Sequence, residues 1–232
     1  MATGMAIMGF GGAAFIASPL SVWLMAQFNT PTHVGVAEAW VCMGVIYLVF
    51  MMVGAFIVRV PAEDWVPEGY VAPAAPGKLI TTNHVFVYEA LKTPQFWLIW
   101  AVLCLNVSAG IGVLGQASAM SQEMFKGHVT AIAASGLVGL FSLFNMAGRF
   151  IWSSTSDYIG RKNTYFCFFA LGAVLYALVP YSGALGSVAL FVFCYAIIFS
   201  MYGGGFATVP AYLKDMFGTK YVGAIHGLLL TA

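Results

Sequence analysis

The chain has 232 residues, of which 61% are hydrophobic and 7% charged, with a formal net charge of +1 and a mean hydropathy of +0.91. A soluble domain carries about a quarter charged residues, so this composition excludes an ordinary water-soluble protein, and no basic tract points to nucleic acid. The apolar residues are gathered into runs long enough to cross a bilayer as helix, about 20 residues each. The fold class read from this is an all-α polytopic membrane protein.

Six runs can span: residues 5–26, 39–58, 96–115, 131–152, 164–180 and 188–209. A seventh opens at 221 and reaches 232; its 12 residues cover only ~18 Å of helix, so an incomplete span is expected there. Gly9, Gly11 and Gly12, Gly110, Gly112 and Gly115, and the triplet Gly203-Gly204-Gly205 fall inside these runs. They point to close helix–helix approach, with a bending point at the triplet as the other reading. Between the second and third runs, residues 59–95 carry Pro61, Pro67, Pro73 and Pro76 with Glu63, Asp64 and Glu68. That segment reads as an extended polar linker, dividing the chain into a two-helix piece, 1–58, and a larger piece, 96–232.

Orientation follows from the basic residues. Arg59, Lys78, Lys92, Arg149, Arg161, Lys162, Lys214 and Lys220 lie on one set of alternating connections, and Lys126 alone on the other. The basic set is expected to face the cytoplasm, in an inner or plasma membrane, with residue 1 on the same side. Cys42, Cys104, Cys167 and Cys194 lie within apolar runs without metal-ligand spacing and read as buried thiols. His33, His84 and His128 fall in connections and read as surface residues.

Enzyme signatures, including metal, nucleophile-elbow and phosphate-loop motifs, are absent from the sequence, and no cofactor is implied. The polar residues inside the runs are more informative. Arg149 sits in the fourth run, eight residues before Asp157. If the helix continues that far, Arg149 lies ~12 Å deeper than the turn. An arginine at such depth persists where it meets a partner or an aqueous cavity, and its planar fork suits a carboxylate. If the helix ends near residue 153, the side chain merely reaches the surface. Asn145, one turn earlier on the same face, is placed to orient the fork or add a contact. His226, in the last run, is a third candidate for the pathway. Asn106, Gln116 and Tyr202 read as interhelical hydrogen-bonding groups, and Lys220 as a marker of the membrane rim.

Ser153-Ser-Thr-Ser-Asp157-Tyr-Ile-Gly160-Arg161-Lys162 is a charged hairpin between two apolar runs. It resembles the cytoplasmic signature of the major facilitator superfamily, Gly-x3-Asp-Arg/Lys-x-Gly-Arg-Arg/Lys. Asp157, Gly160, Arg161 and Lys162 match it; Ser153 replaces its glycine and Tyr158 a basic residue. The wider stretches 2–11, 148–161 and 217–227 resemble the fifth helix, the eighth helix with its following loop, and the entry to the eleventh helix in the oxalate/formate antiporter branch. The resemblance implies a partial major facilitator-type bundle of about six complete helices and the start of another, with the remaining helices of the same transporter as partners. It also implies Arg149 as the carboxylate contact, and Asp157, Gly160, Arg161 and Lys162 as a gate.

The function expected is alternating-access transport of a small carboxylate such as oxalate, formate, pyruvate or lactate. The partners expected are that substrate and the lipid bilayer. The alternatives are a transporter of the same fold for another solute and a small membrane scaffold that transports nothing.

Overall fold

The computed structural model describes residues 2–59, 62, 65, 66, 69, 81 and 83–232. Among them are eight helices and no strand: α1 (Ala2–Phe28), α2 (Val36–Ile57), α3 (Val87–Leu91), α4 (Pro94–Met124), α5 (Ala131–Ile159), α6 (Arg161–Ala184), α7 (Val188–Phe217) and α8 (Val222–Leu229). Six of these, all but α3 and α8, are long and apolar enough to cross a membrane. This is the all-helical, multi-pass architecture expected, and α8 has eight residues.

The starts of the helices have local causes. Thr93, Thr130 and Ser187 cap α4, α5 and α7, each hydroxyl accepting from the backbone N–H three residues on, as a side-chain cap requires. Pro94 then occupies the first turn of α4, where its missing N–H costs nothing. The ends run past the apolar cores: α4 continues to Met124 and α5 to Ile159. α6 and α7 pass through Pro180 and Pro210, residues at which the apolar pattern breaks off. Interior prolines are tolerated in membrane helices because neighbours satisfy the freed backbone groups.

The expected hairpin is correspondingly shorter than a loop. Residues 153–159 are the last turns of α5, α6 begins at Arg161, and Gly160 alone separates them with φ +87°. A left-handed φ of this kind favours glycine, so one residue reverses the chain.

Two compact units form, residues 1–18 with 78–232 and residues 19–77. In the first, α7 is the central helix, with 61% of its most apolar stretch buried; α4, α5, α6 and α8 pack on it. The α5–α7 crossing is made by small residues. A Cβ on Gly148 would meet the Ser200 carbonyl, one on Gly203 the Asn145 backbone oxygen, and one on Gly204 the Trp152 side chain at 2.6 Å. Close approach is therefore the role these positions carry. Gly9, Gly112 and Gly115 face open space, so glycine content alone does not identify a contact. Toward the Ser187 end of α7, Phe141, Phe191, Tyr195 and Phe199 form a stacked aromatic core, with Phe191 and Tyr195 at 4.2 Å. In the second unit, Ser21 Oγ donates to Met43 Sδ at 3.1 Å, and Gly35, at φ +74°, sits against Phe28 in the turn before α2.

Only Cys194 among the four cysteines is buried; Cys42, Cys104 and Cys167 are half-buried. The expectation of four core thiols is corrected, because those three lie on partly exposed helix faces. His33, His84 and His128 are exposed, and no cluster of metal-ligating groups occurs among the described residues.

Candidate functional site

α5 carries six polar side chains on one buried face: Ser135, Ser142, Asn145, Arg149, Ser153 and Ser156. Because α5 continues to Ile159, Arg149 lies ten residues from the helix end, about 15 Å along the axis, and it does not reach the surface. It is 2% exposed. The Arg149 Nε donates to Asn145 Oδ1 at 3.2 Å, one turn back. The guanidinium carbon lies 5.1 Å from the Phe10 ring of α1 and 5.4 Å from the Phe206 ring of α7. Such cation–π contacts are worth about 0.5–2 kcal/mol each. They leave part of the hydrogen-bonding capacity of the fork unused: Arg149 Nη2 is buried and has no partner.

The approach of α1 to α5 is set by small residues. A Cβ on Gly11 would meet Arg149 Nε at 2.7 Å and the Met146 backbone at 3.0 Å. Ser142 Oγ donates to the Gly11 carbonyl at 2.8 Å, and Ser18 and Ser135 hydroxyls meet at 3.0 Å. At the α5–α6 end, Ser153 is 3% exposed and faces Gly4, where an added Cβ would lie 2.9 Å from the Ser153 Cβ. The small residue of that contact is thus on α1, which accommodates serine at the position where the resembled signature carries glycine.

Asp157, Arg161 and Asp215 form a second charged group, between the α5–α6 turn and the end of α7. Arg161 Nη2 pairs with Asp157 at 2.7 Å and Arg161 Nε with Asp215 Oδ2 at 3.0 Å, while Nη1 donates to Ser156 Oγ. Lys162 is exposed and enters no described ion pair; with Arg161, Asn163, Tyr212 and Asp215 it borders a cavity of about 350 Å³. Tyr158, at the position of the signature's missing cation, is 89% exposed.

Asn145 and Arg149 are thus brought together, as are Asp157, Gly160 and Arg161. His226 is half-buried on α8 beside the buried Ile225 and Leu229, and no described contact joins it to Arg149. Asn106 does not make the expected interhelical bond through its amide nitrogen: Nδ2 is buried without a partner beside Gly205. Sequence reasoning missed Phe10, Phe206 and Asp215. For the first two the available signal was glycine neighbours inside apolar runs, and for Asp215 a carboxylate at the basic end of α7.

An arginine held on one nitrogen, flanked by rings and open on another nitrogen can accept a planar anion with two oxygens. The comparisons with known proteins agree with a transport role. The chain is 33% identical to the oxalate:formate antiporter of Oxalobacter formigenes over 199 residues, 85% of this chain and 44% of that protein. It is 24% identical to apicoplast pyruvate carrier 1 of Toxoplasma gondii over 219 residues, covering 81% of this chain and 38% of the carrier. Apicoplast pyruvate carrier 2 of the same organism is 36% identical over 98 residues, 42% of this chain and 14% of the carrier. The chain spans less than half the length of these curated relatives. The family model of the Major Facilitator Superfamily matches residues 1–232, and with that match and the antiporter likeness the chain belongs to this superfamily of multi-pass membrane transporters.

Proposed function

We propose that the whole protein moves a small carboxylate, of the oxalate, formate, pyruvate or lactate kind, across the membrane by alternating access. The observation that carries this reading is the Arg149 fork: 2% exposed, held by Asn145 and left with an unpartnered Nη2. A buried donor without a partner costs about 1–3 kcal/mol, and an incoming carboxylate relieves that cost. Relatives named for oxalate, formate and pyruvate support the same chemical class. Asn145 orients the fork, and His226 is assigned to the pathway wall contributed by α8. Asp157, Gly160, Arg161 and Lys162 form the cytoplasmic gate, joined by Asp215.

In this reading residues 1–58 are the end of one helical bundle, 59–95 a cytoplasmic linker and 96–232 part of the second bundle. Residue 1 then faces the cytoplasm, and further helices complete the pathway, which transporters of this kind place between two halves. The test is carboxylate exchange by the whole protein in liposomes. Arg149→Lys lowers the rate severely through weaker substrate binding, whereas Arg161→Lys leaves substrate affinity within a few-fold of wild type. Exchange by Arg149→Lys at the wild-type rate and affinity would remove Arg149 from the site.

A further inference from the structure

Asp215 is held from two sides. Its carboxylate accepts from Arg161 Nε at 3.0 Å, and its backbone carbonyl accepts from the Thr81 N–H at 3.2 Å. Two residues further, the Phe217 carbonyl accepts from the Val85 N–H at 3.0 Å. The last carbonyls of a helix have no partner within it, and here the chain entering α3 supplies two of them with donors. Gly218 ends α7 at φ +82°, and a Cβ there would run into the Asn83 carbonyl. The Phe86 ring meets Tyr221 edge-on at 5.3 Å. Residues 81 and 83–86 therefore cross the α7 terminus from Asp215 to the start of α8, anchored by backbone bonds and one ring contact.

We propose that this segment is a strap that couples the connection between the helical pieces to the Asp157–Arg161–Asp215 network. Asp215 is the shared element: its main chain registers the strap and its side chain registers the ion pair. Loosening either contact loosens the other, because coupling between two sites is reciprocal. Displacement of the strap then frees Arg161 from Asp215, and loss of the ion pair releases the strap. Its consequence for transport rests on the gate reading above, but the coupling itself does not.

Amide hydrogen exchange on the whole protein in detergent or nanodiscs separates the two. Arg161→Gln is expected to speed exchange at the Thr81 and Val85 amides at least tenfold. Reciprocally, Val85→Pro, which deletes one strap donor, speeds exchange through the last turn of α7, while Val85→Ala, which keeps the N–H, does not. Gly218→Ala serves as a second strap variant, since its side chain displaces Asn83 without touching the ion pair. Unchanged exchange at Thr81 and Val85 in Arg161→Gln, or equal effects of Val85→Pro and Val85→Ala, would overturn the proposal. Should Arg161→Gln transport at the wild-type rate while strap exchange rises, the gate reading fails and the coupling stands.

Discussion

Two arginines of this molecule, Arg149 at 2% exposure and Arg161 with a side chain 10% exposed, differ in how they are satisfied. Arg161 is bound by Asp157, Asp215 and Ser156, so each of its three nitrogens has an oxygen partner within the protein. Arg149 has one such bond, two aromatic faces and an unused nitrogen. A buried charge that is fully paired stabilises a particular packing, and removing one partner leaves the other exposed to its desolvation cost. A buried charge that is half paired has capacity left for a ligand. In the proposed reading, the same residue type serves as a clasp in one place and a receptor in the other.

The comparison can be broken in order of expected effect. Arg149→Ala removes the proposed receptor and is expected to lower carboxylate exchange by a hundredfold or more, the loss of two charge-assisted hydrogen bonds at about 1.5–3 kcal/mol each. Gly203→Ala pushes a methyl group into Asn145. Overpacking of this sort costs about 1–3 kcal/mol, so a lowered thermal midpoint together with weaker substrate binding is expected. A variant that loses neither would show that the α5–α7 crossing has slack. Asp215→Asn leaves Arg161 with Asp157 and weakens the clasp by about 1–3 kcal/mol. The expected signs are a lower melting temperature and faster labelling of the half-buried Cys167, six residues beyond Arg161 on α6, with substrate affinity nearly unchanged. Tyr158→Lys restores the signature's cation at an 89% exposed position, where a surface charge contributes at most about 1 kcal/mol. Stability and exchange should both stay at the wild-type level.

How much of this was legible beforehand depends on the kind of signal. The six spans were, since each is an apolar run of bilayer length. Their ends were not: residues 116–124 and 153–159 are polar enough to read as connections, yet they continue α4 and α5 because a helix needs no apolar face once it clears the membrane core. Arg149 stood out as a charge inside a greasy run, and the four-residue spacing to Asn145 placed both on one face. Phe10 and Phe206 were hidden among aromatics that make up 16% of the chain, and only the α1–α5–α7 packing singles them out. Asp215 lies 54 residues from Arg161, a pairing that no local spacing encodes. The α1–α5 contact between Gly4 and Ser153 was invisible for the same reason, although it accounts for the serine in the signature.

The proposal makes Arg149 a receptor and Arg161 a clasp. Direct binding of oxalate, formate and pyruvate to the whole protein, measured by calorimetry for wild type, Arg149→Gln and Arg161→Gln, tests it without relying on transport. Wild type is expected to bind at least one of these carboxylates saturably, Arg149→Gln to lose that binding, and Arg161→Gln to retain it with a lowered thermal midpoint. Equal affinity of wild type and Arg149→Gln, or loss confined to Arg161→Gln, would contradict it.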